Sequence, residues 1–446
     1  MLPGRKSFTP RCPRTRAPQP KTPVNTLPEN QAKTSPRHRT EFEPMINSAL
    51  RVTYYYPWGP FHPVRSGAAS VARAHMRYFR SRGIRPTVIV PIDGNTAGLE
   101  EFEREYAWTR EVCYLPLFKV PHIERCLHTW AFDSYLAGHA AMCDVPDFHC
   151  ILSRPADLVF LNYIFSCPLL DALPGNTVRI LESHDFISRQ FLTSNTAPAV
   201  AAQHLSVEFE LYSLFDAVFM INEDEALLAR ERGAANSIYV PQPVELTDPG
   251  FPAEESAGPL YDLLFVGSDH PPNVEGAEWF YEHVFAPHLK QHGLRWAIVG
   301  SVCRRLNVRD ASVHLLGVVE DLARIYRGAK LVVIPLFRGA GISIKTLEAL
   351  GQAKPIVTTA CGRRGLKGCE QALVELDFQD DPRLAAERIL HLCGSAAARR
   401  KLGDAGYQYV RRHFSPQAYG EKLDRTLDRL VSGKLSASPT AASRAA

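Results

Sequence analysis

A chain of two α/β halves, each a doubly wound parallel sheet, is the fold the sequence predicts. Three observations carry this. From Arg51 onward, short runs rich in β-branched, Leu and aromatic residues alternate with helical segments, the pattern of parallel strands buried on both faces. The alternation breaks once, at "PQPVELTDPGFPAEESAGP" (241–259), which is rich in Pro, Gly and acids and has no period. It then restarts, and each half opens with a strand followed by a glycine-containing loop. A length of 446 residues suits two domains with tails.

Taken in order, "RVTYYY" (51–56) predicts the first strand, "GPFHPVRSGAAS" the loop after it, and Val71 to Arg82 a helix ended by Gly83. "PTVIVP", "DLVFLNY" (157–163), "VRILESH" (178–184), "DAVFMIN" (216–222) and "SIYVP" (237–241) predict further strands with helices between them, one built on "VEFELYSLF". After the linker, "YDLLFVG", "RWAIVG", "SVHLLG", "KLVVIP" and "KPIVTT" read as strands. Asn273 to Lys290, Glu320 to Arg327 and Ile342 to Leu350 read as helices, and two or three more close the chain between Pro382 and Leu430. The expected domains are therefore 45–245 and 246–431, with the last helices placed to pack back on the first domain, and a solvated tail at 432–446. In such sheets ligands sit beyond the carboxyl ends of the strands, so the cleft between the halves is the expected binding site.

Composition narrows the function classes. The formal charge is +4, but residues 1–44 hold nine Lys or Arg against three acids, which leaves the body slightly acidic and argues against a nucleic-acid partner. Those residues also hold nine prolines, and we expect a disordered basic leader, either an unstructured extension or a misassigned start before Met45. No stretch is apolar for long enough to span a membrane. The ten cysteines form no CxxC pair and the sixteen histidines no HExxH, so reduced thiols and no metal are expected.

The chemistry concentrates in "RGAGISIKTLEALGQAKPIVTT" (338–359). Its loop follows a strand ending at Pro335, where Gly339 and Gly341 allow a tight turn and close approach of a ligand. A helix from near Ile342 offers unpaired N–H groups and a positive dipole end, which suits an anion such as a diphosphate. Gly341, Lys345 and Glu348 fall at i, i+4 and i+7 on one face. Lys345 and Arg338 can neutralise phosphate, and Glu348 can accept from two neighbouring ribose hydroxyls. The alternative is a Lys–Glu pair on a solvated helix face.

This stretch resembles the donor-binding signature of retaining glycosyltransferases of the GT-B fold, the large family 4 or group 1, and within it a subgroup reading G-A-G-I-x-x-K-x-L-E-A. "LLFVGSDHPPNVEGAEWF", "VHLLGVVEDLARIYRGAKLVVIPL" and "GQAKPIVTTACGRRGL" are similar to other segments of that family in the same order, so Tyr261 to Leu366 carries the resemblance. The first half is less similar: "VRSGAAS" sits where the family has a glycine loop over the donor phosphates, and "LESHDFISRQ" where it has an active-site histidine.

The resemblance implies two Rossmann-like domains facing a central cleft, with a nucleotide-diphosphate sugar as co-substrate rather than a cofactor. Glu348 would bind the ribose. Lys345, Arg338 and the backbone of Gly339, Gly341 and Ile342 would hold the diphosphate, and Gly317 and Val318 would meet the base. His184 would be catalytic, and Gly67 would approach the phosphates from the first domain. Transfer would proceed with retention and without metal. Two departures stand out. Ala340 replaces the first of the family's paired glutamates, and Ser268 and Asn273 stand where Arg and Lys are frequent.

On the residues alone, His184 also fits a histidine ending a strand, and Glu182 a strand-end acid. Arg363 and Arg364 fit either contact with phosphate or an anionic acceptor, or, as the favoured reading, a solvated turn. "WGPFHP" (58–63) is expected to line the acceptor site, because aromatic rings stack on sugar faces. The acceptor is expected to be a glycan, lipid-linked or other hydroxyl, in envelope or surface polysaccharide synthesis. The protein is expected in the cytoplasm, with peripheral contact at the inner membrane through the basic helix bearing Arg73, Arg77, Arg80 and Arg82. The rival readings are a nucleotide-sugar epimerase of the same fold and a non-catalytic relative binding nucleotide sugar or a partner, which Ala340 keeps open.

Overall fold

A computed structural model of the chain describes residues 46–437, excepting 63–66, 95–97, 130, 185, 189–197, 245, 247–259 and 340. The leader, Asp185, Ala340, most of the linker and the last nine residues of the tail therefore lie outside the described residues.

The first half builds a seven-stranded sheet from β1 (Val52–Tyr55), β2 (Thr87–Ile92), β3 (Glu111–Pro116), β4 (Leu158–Asn162), β5 (Val178–Glu182), β6 (Ala217–Met220) and β7 (Ser237–Tyr239). Their spatial order is β3-β2-β1-β4-β5-β6-β7, all parallel. The second half builds six more: β8 (Tyr261–Val266), β9 (Trp296–Val299), β10 (Val313–Gly317), β11 (Ala329–Ile334), β12 (Ile356–Thr358) and β13 (Val374–Glu375). Their order is β10-β9-β8-β11-β12-β13, again parallel throughout. Each sheet reverses direction of growth once, between β1 and β4 and between β8 and β11, and crevices form at the carboxyl ends of such switch points. The central strands read "VTYY", "LVFLN" and "AVFM" and are buried along their whole length, because helices cover both faces.

Two strands escape the sequence reading. β3 alternates exposed and buried residues at the sheet edge, and β13 has only two residues. Helix starts also move. The first helix begins at Gly67, four residues before Val71, and the predicted helix 273–290 runs as α-helix only over Pro271–Phe280 before widening to π turns over Tyr281–Leu289 around Pro287.

The last helix, Pro416–Ala437, extends past the expected boundary at 431. Its Tyr419, Leu423, Leu427 and Val431 belong to the core beneath the first sheet, with Tyr54, Phe79 and Phe160. Asp424 accepts from Tyr78 Oη at 2.8 Å and from Arg82 Nη2 at 2.6 Å, fastening this helix to Gly67–Ser81. That contact also bears on the apolar face of the basic helix. Val71, Met76 and Phe79 of the basic helix are buried core residues, Arg82 is paired with Asp424, and Arg73 donates to the Phe61 carbonyl at 2.8 Å. The apolar face that insertion would need is therefore already covered. No helix among the described residues is long and apolar enough to cross a membrane, and the nine described cysteines are free thiols.

Candidate functional site

The loop after β11 enters the site at Arg338. Gly339 lies against the Arg364 guanidinium, where a Cβ would come within 2.8 Å of Cζ. Gly341 has φ +64°, a conformation that an L side chain rarely adopts. Ser343 N–H then donates to the Arg364 carbonyl at 3.3 Å, and the Ser343 and Thr346 hydroxyls bond each other at 2.8 Å. This buried brace delays the helix to Ile344–Gly351, two residues beyond the expected start. Lys345 falls in its first turn and Glu348 one turn on.

Three cationic side chains, Arg338, Lys345 and Arg364, converge here with the imidazole of His270. Burial and the neighbouring Arg364 pull the Lys345 ammonium down to about 8, against the opposing pull of Glu348. Burial lowers His270 as well, helped by Lys345, Arg338 and Arg364. Arg364 is itself lowered by burial. Like charges held this close raise each other's cost, and an anion placed among them relieves it. Arg338 forms a two-bond ion pair with Glu275 on the Pro271–Phe280 helix, so its charge is shared before any ligand arrives. Glu348 is half-buried and raised by burial, with Lys345 opposing. Behind it lies the buried Tyr326 hydroxyl, which has no hydrogen-bond partner among the described residues.

Other sequence-predicted positions are placed as follows. Gly317 ends β10 with φ +67° and its carbonyl accepts from Gly300 N–H at 2.7 Å. Val318 beside it is 63% exposed. Asn273 Nδ2 donates to the Ser268 carbonyl at 3.0 Å and hydroxyl at 3.1 Å, so these residues hold the loop after β8. Gly67 is the exposed first residue of its helix. Arg363 is not in a solvated turn by itself; it pairs with Glu375 and donates to the Leu366 carbonyl. Arg364 corrects the same expectation more sharply, since it is a half-buried member of the cationic group. Ala340 and Asp185 lie outside the described residues.

The first sheet reaches this loop through residues the sequence reading did not single out. Asn222, at the carboxyl end of β6, caps the Glu223–Glu231 helix by accepting from Asp224 N–H at 2.8 Å. Its Nδ2 also donates to the Gly341 carbonyl at 2.8 Å. Gly341 N–H in turn donates to Glu225 Oε1 at 3.3 Å. Both sides of the Gly341 residue are thus held by the other half of the chain.

His184 follows β5, the strand beside β6. It and Tyr163, which follows β4, are non-glycine residues at φ +63° and +65°, and their rings lie 4.4 Å apart. Such backbone conformations cost of order 1–3 kcal/mol each and gather at functional sites. His184 Nε2 lies 3.0 Å from Asn162 Oδ1. Because Asn162 Nδ2 donates to the Tyr55 carbonyl and Oδ1 accepts from Tyr54 Oη, the oxygen assignment requires the His184 proton on Nε2. Nδ1 is then the acceptor, and it has no partner among the described residues. Burial, helped by His75, lowers His184 to about 3, so the ring is neutral at pH 7.

A buried polar chain continues from Tyr54 to His75 Nδ1 at 3.3 Å, and from His75 Nε2 to Glu182 at 3.7 Å. Burial raises Glu182 to about 8 and lowers His75 to about 3. The pair therefore sits neutral, with the proton on the carboxyl. Behind His184, Glu208 accepts from Ser188 Oγ at 2.6 Å and Tyr212 Oη at 2.7 Å, and from the Ile187 and Ser188 amides. It anchors the segment after the histidine.

Beyond Tyr163, Trp58 stands 40% exposed with its ring 5.5 Å from Tyr163. Trp58, Gly59, His62, Tyr135 and Phe165 line a cavity of about 320 Å³. Phe61 of the same motif is core rather than lining.

Comparison with known proteins bears on the fold and on the second half of the chain. Residues 261–395 match the family model described as glycosyl transferases group 1. A Klebsiella pneumoniae protein described as an uncharacterized 44.6 kDa protein in the cps region is 21% identical over 218 residues, 46% of this chain. The alignment spans about half of that relative, 54% of its length. Among solved structures, sucrose-phosphate synthase from Thermosynechococcus elongatus aligns over 86% of this chain and 100% of its own, at 16% identity and TM-score 0.61. Anabaena HepE in complex with UDP aligns over 85% and 99%, at 14% identity and TM-score 0.57. A glycosyltransferase from Rickettsia africae aligns over 86% and 98%, at 11% identity and TM-score 0.57. The fold is GT-B, and the match to the group 1 glycosyltransferase model lies within the second half.

Proposed function

We propose that this protein transfers a hexosyl group from a nucleotide-diphosphate sugar to a hydroxyl of a glycan or lipid-linked acceptor, with retention at the anomeric carbon. The observation that carries the reading is the convergence of His270, Arg338, Lys345 and Arg364 on a glycine loop at a helix N-terminus, held from the other domain by Asn222 and Glu225. In this reading the diphosphate lies on the backbone of Gly339, Gly341 and Ile342, with charge neutralised by Lys345 and Arg364 and by the helix end. Glu348 accepts from the ribose hydroxyls, and the base rests near Gly317 and the exposed Val318.

His184 acts as a neutral acceptor. Its Nδ1 takes a hydrogen bond from a hydroxyl of the transferring sugar, while Asn162 fixes the tautomer. The leaving phosphate oxygen receives the acceptor proton as the new glycosidic bond forms and the anomeric C–O bond to phosphate breaks. Arg338, Lys345 and Arg364, with the helix end, supply the charge stabilisation a divalent metal would otherwise give, so we infer that no metal is needed. The aromatic cavity at Trp58, reached from His184 through Tyr163, is the acceptor's place in this scheme. The Klebsiella relative's cps context supports a role in surface polysaccharide synthesis, and the UDP in HepE makes UDP the first nucleotide to test.

The test is titration of the full chain with nucleoside diphosphates and with pyrophosphate, followed by thermal shift, with EDTA present throughout. A selective nucleotide response is expected. Glu348→Gln should weaken nucleotide binding about tenfold while leaving pyrophosphate binding unchanged. A folded protein that answers to no nucleotide would overturn the transferase reading in favour of a non-catalytic relative.

A further inference from the structure

A second cationic cavity lies on the opposite side of the first sheet from the proposed donor site. Asp216 immediately precedes β6 and Ser237 opens β7, so the residues around them mark the amino ends of these strands, whereas His184 and Asn222 mark the carboxyl ends. Here a cavity of about 470 Å³ is lined by Arg230, Lys422, Arg425 and Arg429, with Asp216 and Ser237. Lys422, Arg425 and Arg429 recur at i, i+3 and i+7 on the Pro416–Ala437 helix and so share one face. Arg230 arrives from the end of the Glu223–Glu231 helix, where its Nη1 donates to the Ser237 carbonyl at 3.2 Å.

The charge here is one-sided. Asp216, the acid in the lining, accepts from Lys434 Nζ at 2.8 Å and from Arg179 N–H at 2.7 Å. Its charge is therefore already answered from outside the cavity. Burial and the neighbouring Arg425, Arg429 and Arg230 lower Lys422, with Glu223 opposing. Among the described residues Arg425 and Arg429 make no ion pair. The Ser237 hydroxyl supplies an independent sign. The residue is 1% exposed, and its Oγ has no hydrogen-bond partner among the described residues. Buried hydroxyls are ordinarily satisfied, and this one belongs to the cavity lining.

We propose that this cavity binds a phosphate-bearing ligand, held by Arg230, Lys422, Arg425 and Arg429 with the Ser237 hydroxyl at its base. Guanidinium groups match phosphate oxygens in pairs, and three of the four cations are arginines. The site stands apart from the donor loop and does not depend on the transferase reading. Because the Pro416–Ala437 helix both lines the cavity and completes the core with Tyr54, occupancy would stiffen the packing of that helix on the first domain.

Two sources could present this phosphate: a soluble phosphate ester or an anionic lipid headgroup. The experiment is hydrogen–deuterium exchange on the full chain with inorganic phosphate, against chloride at matched ionic strength. It is paired with sedimentation on phosphatidylcholine vesicles with and without phosphatidylglycerol. Phosphate should slow exchange in segments 235–239 and 420–430. Arg425→Gln with Arg429→Gln should weaken that protection about tenfold or more, while protection around residues 339–348 by a nucleoside diphosphate persists. Ser237→Ala should weaken it severalfold. Phosphate protection without vesicle binding assigns the site to a soluble ester. Vesicle binding that needs phosphatidylglycerol, is competed by phosphate and is lost in the double variant assigns it to a headgroup. Equal protection by chloride, or undiminished protection in the double variant, overturns the proposal. An unchanged response in Ser237→Ala reduces the cavity to a diffuse basic surface and overturns it as a built site.

Discussion

Asn222 Nδ2 donates to the Gly341 carbonyl across 2.8 Å, while its Oδ1 caps the Glu223–Glu231 helix. One side chain thus ends a strand of the first sheet, starts a helix and fixes the glycine loop of the second sheet. Asn222→Asp separates these roles, because a carboxylate still caps but cannot donate. The variant should weaken nucleoside diphosphate binding about tenfold and also melt below the parent, because its carboxylate meets the Gly341 carbonyl where the amide donated. Asn222→Ala should lose the cap too, at about 1 kcal/mol of stability. Calorimetric titration beside thermal melts reads both.

Lys345 gives the proposed donor site a pH signature. Burial and Arg364 hold its ammonium down at about 8, and a bound diphosphate would return it toward its ordinary value. Binding then takes up a proton above pH 8. Affinity should fall as pH rises through about 8, by up to about tenfold per unit. Lys345→Met should bind more weakly below pH 8 and lose this slope, which titrations between pH 6.5 and about 9.5 would show.

Glu182 predicts a stability effect of opposite origin. Its folded value, raised by burial to about 8, exceeds its ordinary 4.5. The folded state therefore holds a proton that the unfolded state releases in that window. This contribution is complete below about 4.5 and declines as pH rises to about 8, with a slope of up to about 1.4 kcal/mol per unit. Glu182→Gln keeps the neutral shape beside His75 and should flatten that part of the denaturation profile. An unaltered profile would show that Glu182 ionises normally.

Trp58 should act on the acceptor alone. Its ring packs on Tyr135, Tyr163 and Phe165 and presents an exposed surface to the cavity. Trp58→Ala should raise the KM for acceptor about tenfold and leave nucleotide affinity unchanged, since stacking and burial of one ring are worth about 1–2 kcal/mol. Initial rates with donor and acceptor varied separately distinguish the two.

Local pattern made most of the strands readable. "LVFLN" and "AVFM" are apolar throughout because both sheet faces are covered, whereas β3 alternates at an edge and β13 is too short to register. The glycine loop, Lys345 and Glu348 were legible because they lie within a dozen residues of one another. His270, Asn222 and Glu225 were not, since each joins the candidate site by a tertiary approach that leaves no spacing in the sequence, and Arg364 was left between a phosphate contact and a solvated turn. Arg364 is instructive. In sequence it belongs to a charged turn, yet Gly339 makes room for its guanidinium against the loop. His184 was readable by resemblance, but its left-handed backbone and its bond to Asn162 required the fold.

The Pro416–Ala437 helix makes the two halves interdependent in time as well as in space. The apolar surface around Tyr54, Phe79 and Phe160 lacks Tyr419, Leu423, Leu427 and Val431 until the whole second sheet has been synthesised. During translation, the amino-terminal half therefore emerges with an open seam that a helix made after the second sheet closes. A protein expressed as separate halves would leave that seam exposed to other chains. The half that holds Trp58 and His184 reaches its finished form only after the half that holds Lys345.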